Sequence, residues 1–225
     1  MLWLLLIQLG WSIELKAWPL PDEEKRKELT QLYLQEHHTA PLSGVLEQDV
    51  LMEPRMVVLH WTGAPAAKST WNTFASAYLS GRRDIQKGGA LNVGAHFLVD
   101  RDGTIYQLMD EKRIARHCIG LNHLSIGVEN VGGGKKYPLT PEQVQANIAL
   151  IEYLSEKYPL THLIGHYEAK DMEEHSYFSE KNPKYRSIKP DPGAEFMKHV
   201  REGLEKKGIV LRAAPEGKDH QEKED

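Results

Sequence analysis

The sequence has a single cysteine, Cys118, among 225 residues. One thiol excludes an intrachain disulfide and a zinc site made mainly of thiolates. Two roles stay open for this side chain, a small packed residue or a free nucleophile, and packing is the commoner of the two.

An excess of charge of either sign is also missing, because the formal net charge is −4. The broad electropositive surface that binds nucleic acid is therefore not expected, and we predict no nucleic-acid partner. With 40% hydrophobic and 27% charged residues, the chain is long enough for one sizeable core and is close to the upper size of single domains.

The apolar run at the N-terminus, MLWLLLIQLGW over residues 1–11, is too short to span a bilayer. It has the length of the apolar region of a secretory signal, although no Lys or Arg precedes it. We predict a signal peptide over residues 1–18, with cleavage between Ser12 and Trp18. The protein is then periplasmic or secreted, with no stable membrane insertion after processing. The alternative is a buried N-terminal strand or short helix in a cytoplasmic protein.

Composition divides the rest of the chain into three parts. Residues 19–54 are expected to form an N-terminal helix and a lead-in loop, since acidic residues open the charged segment DEEKRKELTQLYLQEHH. Residues 55–208 alternate between strand and helix patterns, which indicates one α/β domain. Residues 209–225 are charged and poor in apolar residues, and we predict a disordered tail.

Local patterns predict several elements of that domain. MVVLH at 56–60 has no polar alternation, which is typical of a strand covered on both faces. Asp102-Gly103 supplies the turn of a β-hairpin in FLVDRDGTIYQL. Thr140, followed by Pro and Gln, marks a capped helix start. Residues 160–165 are expected to form a further strand.

Three short segments carry side chains that suit a catalytic metal site. They are VVLHWT with His60, LIGH with His166, and KPDPG with Lys189 and Asp191. Two imidazoles and a carboxylate can bind Zn²⁺ and leave a position for water, while a nearby ammonium can stabilise negative charge. The two histidines are 106 residues apart, so no local rule brings them together. Taken alone, each is more often a packed or surface residue.

A competing zinc motif involves His162, which lies four residues before His166. This is the spacing of two zinc ligands on one helix, but Leu163 occupies the position of the glutamate that completes the helical motif. On a strand, four residues at about 3.3 Å each separate the imidazoles by roughly 13 Å, too far for a shared ion. Only one of the two histidines can therefore be a ligand.

Five segments occur in a fixed order within residues 55–193: VVLHWT, GAHFLVDRDGTIYQL, ARHCIGLNHLSIGVEN, LIGH and KPDPG. Together they resemble the amidase-2 type of N-acetylmuramoyl-L-alanine amidases, relatives of peptidoglycan recognition proteins and of T7-type phage lysozyme. The resemblance implies a single α/β domain with a central mixed β-sheet flanked by helices. It also implies one Zn²⁺ ion and hydrolysis of the amide between N-acetylmuramic acid and L-alanine, with peptidoglycan or a muropeptide as the substrate.

The resemblance also implies roles for individual residues. His60, His166 and Asp191 are the zinc ligands it indicates. Glu129, at the end of SIGVEN, corresponds to the general base, and Lys189 to the group that stabilises the oxyanion.

The substrate is expected to contact His117, Asn122 and Trp61, with a supporting or packing role as the alternative for the first two. Ala95, followed by His96, stands where the phage-lysozyme branch has a tyrosine that assists catalysis. This difference favours a mechanism that uses a glutamate and a lysine.

The third ligand is the point at which the chain departs from the family pattern. Asp191 follows His166 by 25 residues, whereas the carboxylate of the family comes sooner. The lengthened segment 167–188 contains three other potential ligands, Glu168, Asp171 and His175. The KPDPG match favours Asp191. The aromatic residues of the segment predict a lid that contacts substrate, and an exposed decoration is the alternative.

Two functional classes fit these residues. An enzyme needs the full set of ligands, base and oxyanion group, and every member is present. A non-catalytic peptidoglycan- or muropeptide-binding protein is the alternative, and such proteins typically lack a zinc ligand. An unrelated zinc peptidase would suit the ligands but not SIGVEN and DRDGTIYQL. We therefore predict an amidase.

Overall fold

The computed structural model describes residues 13–39 and 50–215. The apolar run predicted as a covered strand forms β2 (Met56–Trp61), and its first five residues are buried. A strand buried on both faces belongs in the interior of a sheet. β2 accordingly pairs in parallel with β5 (Ser125–Asn130) on one side and with β6 (His162–Gly165) on the other.

A hairpin extends the sheet beyond β5. β3 (Phe97–Val99) runs parallel to β5 and antiparallel to β4 (Ile105–Gln107), with the predicted Asp102-Gly103 turn between them. Gly103 has a φ of +85°, which glycine adopts without steric cost. β1 (Leu15–Ala17) then pairs in parallel with β4. The strand order is β1-β4-β3-β5-β2-β6, so the predicted α/β fold with a mixed sheet is confirmed.

In the described residues, four α-helices accompany the sheet: α1 (Glu23–His37), α2 (Ala67–Ala75), α3 (Pro141–Lys157) and α4 (Ala194–Glu205). α3 begins where it was predicted, because Thr140 and Gln143 form a reciprocal capping box. The Thr140 side chain accepts from the Gln143 N–H at 3.2 Å, and the Gln143 side chain accepts from the Thr140 N–H at 3.0 Å.

The two faces of the sheet are packed differently. Val57 and Leu59 of β2 belong to the main apolar core, which includes residues of α3 and α4. Side chains alternate across a strand, so Met56, Val58 and His60 project from the opposite face. Met56 and Val58 pack there in a smaller apolar cluster with Cys118 and its neighbours. The candidate site lies on this second face.

The described structure extends past the predicted domain bounds of 55 and 208. Leu15–Ala17, expected to belong to a signal peptide, forms β1, and Arg212, expected in a disordered tail, makes a parallel bridge with His162. Short strands of this kind are fixed by pairing rather than by their own composition. The apolar run at 1–11 and the end of the tail lie outside the described residues. In the described part of the chain, no helix combines the length and apolarity needed to cross a membrane.

Candidate metal and catalytic site

The site is built at the carboxyl ends of three parallel strands. His60 on β2 and Glu129 on β5 are partners in the ladder, and His166 follows the last residue of β6, Gly165, which pairs with Leu59. Because carboxyl ends of parallel strands meet at one edge of a sheet, these three side chains converge there.

Three ligand atoms meet at that edge. Nδ1 of His60 lies 3.0 Å from Nδ1 of His166, and Oδ2 of Asp191 lies 3.2 Å from each nitrogen. Four ligands placed tetrahedrally about 2.0 Å from an ion would lie about 3.3 Å from one another. The triangle therefore matches one face of a zinc tetrahedron, and two imidazoles with one carboxylate are a donor set that suits catalytic zinc. The residues fit the ion that the resemblance implied.

Asp191 lies at the triangle although a long segment separates it from His166. One hydrogen bond and one close approach at a glycine bring it there. The Tyr167 N–H donates to the Asp191 carbonyl at 2.9 Å, which ties the segment after β6 to the segment before α4. A Cβ added to Gly165 would lie 2.7 Å from the ring of Tyr167 and 2.9 Å from Pro192. A glycine at the end of β6 is therefore what lets the two segments approach.

The electrostatics of the triangle favour metal ligation. Burial lowers the pKa of His60 to about 4, and the neighbouring His166 adds to the shift. Burial alone would raise the pKa of Asp191, but the facing imidazoles of His166 and His60 outweigh it and hold that pKa well below its usual range. A neutral imidazole and an ionised carboxylate are the forms that bind Zn²⁺.

Glu129 stands beside the triangle as a desolvated acid. Burial raises its pKa to about 8, the charge of Asp191 adds to the rise, and Arg82 opposes it. Its Oε2 is inaccessible and has no hydrogen-bond partner among the residues that the structure describes. Such a group is typical of a functional site, since an orphaned carboxylate oxygen costs stability without stabilising the fold.

These residues border one cleft of about 310 Å³, which is also lined by Lys189 and Trp61. Lys189 is half-buried and immediately precedes the Pro190-Asp191 pair, so the chain itself places this residue near the triangle. Trp61 packs across Gly133, where an added Cβ would lie 2.3 Å from the indole. The cleft thus combines a cation, a carboxylate and an aromatic wall around the ligand atoms.

His117 and Asn122, predicted to contact substrate, also line the cleft but are engaged by the protein. Oδ1 of Asn122 accepts from the backbone N–H groups of His117 and Cys118 at 2.9 and 2.8 Å, and its amide donates to the Tyr33 hydroxyl at 3.0 Å. Because its polar atoms are already hydrogen-bonded, the geometry favours support of the 117–122 turn over recognition of substrate.

The segment predicted to form a lid packs against the rest of the protein at several points. Tyr185 is only 2% exposed, and its hydroxyl accepts from Nη2 of Arg116 at 2.7 Å. Phe178 packs across Gly120, and His37 of α1 donates to Glu180 at 2.8 Å. Burial of the Tyr185 ring helps to hold the segment in place, and contact of the segment with substrate stays a prediction. Tyr185 also lines the cleft.

Among the described residues, the other potential third ligands are not part of the converging group of ligand atoms. His175 packs against His162 and Tyr177, and its Nδ1 accepts from the Tyr177 backbone N–H at 3.1 Å. Oε2 of Glu168 accepts from the Gly165 N–H at 2.6 Å and from Arg201 at 2.7 Å. His162 begins β6 and His166 follows its end, so the two do not converge.

Two further residues are excluded from the chemistry by their surroundings. His96 is fully buried, accepts from the Gly127 N–H at Nδ1, and donates from Nε2 to the Arg113 carbonyl at 2.7 Å. It therefore does not replace the missing tyrosine. Burial raises the pKa of the Cys118 thiol far above its usual range, so the thiol is a packed group rather than a nucleophile.

Sequence reasoning missed Arg82 and Arg116, which both line the cleft. Arg82 lies in a charged loop whose composition suggests only a solvated surface. Arg116 donates to the carbonyls of Ile85 and Leu91 and so joins that loop to Tyr185. Its motif, ARHCIG, gave a signal for the cleft but none for this bridging role.

Two phage proteins are similar to part of the chain. The endolysins of Escherichia phage T7 and Enterobacteria phage T3 are 42% and 41% identical to it over 85 residues, which is 36% of this chain and 56% of each endolysin. The chain thus spans about half the length of the curated relatives it matches.

Solved structures show the same fold. The N-acetylmuramoyl-L-alanine amidase LysC from Clostridium intestinale URNW superimposes with a TM-score of 0.50 at 22% identity, covering 86% of this chain and 99% of LysC. A selenomethionine derivative of AmpD superimposes with a TM-score of 0.51 at 21% identity, covering 87% of this chain and 97% of AmpD. The family model described as N-acetylmuramoyl-L-alanine amidase matches residues 51–193, and the chain belongs to this amidase-2 family.

Proposed function

We propose that this protein is a zinc-dependent N-acetylmuramoyl-L-alanine amidase, which hydrolyses the amide between N-acetylmuramic acid and L-alanine in peptidoglycan or muropeptides. The observation that carries the proposal is the convergence of His60, His166 and Asp191 at distances of 3.0 to 3.2 Å, in one cleft with Glu129 and Lys189. Membership of the amidase-2 family supplies the substrate class.

His60, His166 and Asp191 would hold the ion. Zn²⁺ in such a site supplies Lewis acidity, which polarises a carbonyl and makes water a nucleophile near neutral pH. With the divalent ion bound, two neutral imidazoles and one carboxylate would leave a net positive charge at the triangle, and that charge would favour the ionised form of the neighbouring Glu129.

Glu129 acts as the general base in this proposal. Its desolvated carboxylate takes a proton from the attacking water as the oxygen bonds to the amide carbonyl carbon. The same proton can then pass to the nitrogen of L-alanine as the carbon–nitrogen bond breaks, which releases a neutral amine. A carboxyl group whose burial raises its pKa is suited to both steps.

Lys189 supplies a positive charge that stabilises the oxyanion formed during the reaction. The carbonyl oxygen becomes an oxyanion when water adds, and Lys189, which lines the same cleft, can stabilise that charge with its ammonium group. Trp61 offers an aromatic wall against which an apolar face of the sugar or peptide can pack.

The test is incubation of purified muropeptides with the zinc-loaded protein, with and without a chelator, followed by mass spectrometry. The expected products are the muramic acid-containing glycan and a peptide with a free L-alanine amine, formed only without chelator. Tight muropeptide binding without cleavage would establish the non-catalytic alternative. Release of free amino acids from the peptide would indicate a peptidase instead.

We also propose that the protein acts outside the cytoplasm after loss of an N-terminal signal. β1 pairs with the sheet from Leu15 to Ala17, so cleavage before Leu15 leaves all six described strands intact. N-terminal sequencing of protein recovered from the periplasm and medium tests this. Recovery of a chain that retains Met1 from the cytosol would contradict it.

A further inference from the structure

The ring of His117 lies between a proposed zinc ligand and a backbone carbonyl. Its Nδ1 is 3.1 Å from Nε2 of His60, and its Nε2 is 3.1 Å from the Ser125 carbonyl oxygen and 3.3 Å from Ser125 Oγ. The hydroxyl of Ser125 donates to the Leu121 carbonyl at 2.7 Å. Both oxygens that face Nε2 of His117 are therefore acceptors.

This arrangement fixes the position of two protons. Nε2 of His117 must carry hydrogen to bond to Ser125, and a neutral imidazole has only one N–H, so Nδ1 is an acceptor. Nε2 of His60 then donates to it, which leaves Nδ1 of His60 with a free lone pair. That lone pair points at His166 and Asp191, where the ligand atoms meet.

We infer that His117 is a positioning residue, which holds the tautomer and ring orientation of His60 that bind the metal. The inference rests on the proposed zinc site and assigns to His117 a role other than substrate contact. In that tautomer the Nδ1 lone pair of His60 and Oδ2 of Asp191, which lie 3.2 Å apart, can both bind one cation.

The fold leaves a space that the imidazole ring of His117 fills. A Cβ added to Gly127 of β5 would lie 2.7 Å from the His117 ring, so the imidazole fills the space that a side chain would take. Asn122 fixes the backbone on either side by accepting from the N–H groups of residues 117 and 118. The imidazoles of His60 and His96 lie edge-on to this ring, with centroids 5.2 and 5.9 Å away, a setting that favours its neutral form.

The decisive comparison is His117→Asn against His117→Leu. The two replacement side chains are nearly equal in size and shape, but only Asn presents an acceptor near the place of Nδ1. Metal-free proteins are titrated with Zn²⁺ in competition with a chromophoric chelator. We expect His117→Leu to weaken zinc binding by about 10–100-fold, the usual cost of removing the partner of a metal-bound histidine. His117→Asn should retain most of the affinity, because the amide oxygen can accept from Nε2 of His60.

Matched controls separate this role from general destabilisation. His175→Asn and His175→Leu change a histidine that packs against Tyr177, and both should leave zinc affinity unaltered. Thermal unfolding of the metal-free His117 variants checks that they fold equally well. Gly127→Ala offers an independent route, because its methyl group displaces the ring of an unaltered His117 and should also weaken zinc binding.

Each result has a distinct meaning. Equal zinc affinity in the Asn and Leu variants of His117, with a raised KM for muropeptide in both, would overturn the inference and restore substrate contact. Equal loss of affinity in both variants would also overturn it, because the acceptor would then be irrelevant. A wild-type protein that binds no zinc would instead overturn the proposed metal site on which the inference rests.

Discussion

His60 on β2 and Glu129 on β5 are paired residues in a parallel ladder, so their side chains leave the same face of the sheet side by side. The proposed ligand and the proposed base therefore derive their separation from strand spacing, roughly 4.8 Å, and not from a flexible loop. A site built on strands is held more precisely than one built on loops.

Replacing Glu129 by Gln should lower kcat by about 10²–10⁴-fold, the usual contribution of a general base, because the amide cannot accept the proton of water. Zinc content should be unchanged, since the carboxylate is not one of the three converging ligand atoms. Steady-state kinetics on a muropeptide and metal analysis measure both. Glu156→Gln, on the exposed face of α3, is the matched control. Loss of zinc from the Glu129 variant would make this residue a ligand or its support.

Replacing Lys189 by Ala should lower kcat by about 10²–10³-fold, as expected for removal of one oxyanion-stabilising group. KM and zinc affinity should change little, because the charge is needed mainly in the transition state. Lys184→Ala removes an exposed lysine from the same segment and serves as the control. A rise in KM at constant kcat would show that Lys189 binds the ground state of the substrate.

Replacing Asp191 by Ala should abolish stoichiometric zinc binding, because the triangle then retains only two imidazoles. His175→Ala should bind zinc normally, since His175 packs against His162 instead. Metal analysis after dialysis, and isothermal titration of the metal-free proteins, give the comparison. Zinc loss in the His175 variant with retention in the Asp191 variant would exchange the two assignments.

Stability of the metal-free protein should fall as pH rises from about 4.5 to about 8. Burial raises the pKa of Glu129 to about 8 from 4.5, so the folded state keeps its proton while the unfolded state loses it across this range. Below this pH range the Glu129 carboxyl group is protonated in both the folded and the unfolded state. Above it, the folded state bears the full free-energy cost of a buried carboxylate. Glu129→Gln should remove this dependence and gain a few kcal/mol relative to wild type at high pH.

Urea unfolding in the presence of a chelator, at pH 5 and pH 9, measures the effect. Glu156→Gln again provides the control, because that residue is exposed. A constant difference in unfolding free energy between wild type and Glu129→Gln at the two pH values would show that the folded carboxyl titrates normally.

The sequence could predict the elements that depend on local chemistry. The covered strand before His60, the Asp102-Gly103 hairpin and the capped helix after Thr140 follow from periodicity and turn residues, and all are present. The separation of His162 from His166 followed equally from strand geometry, because four residues on a strand cannot converge.

Other features depend on contacts distant in sequence. Asp191 could be selected only by resemblance, since the Tyr167 N–H bond that draws it to the triangle has no signature. The bond from His60 to His117 joins residues 57 positions apart. β1 was not predicted, because three residues are too few to show the alternating pattern of a strand. Their extended conformation depends on pairing with β4.

The attachment of the 167–188 segment to α1 has a thermodynamic consequence. His37 binds Glu180, and the Lys181 N–H donates to the His37 carbonyl at 2.7 Å, so the chain that delivers Asp191 is fastened to the N-terminal helix. Zinc binding and the docking of α1 both depend on this segment, so each changes the equilibrium of the other by the same factor. Docking of α1 should therefore raise zinc affinity, and zinc should slow hydrogen exchange in α1 by the same factor, although the helix contributes no ligand to the triangle.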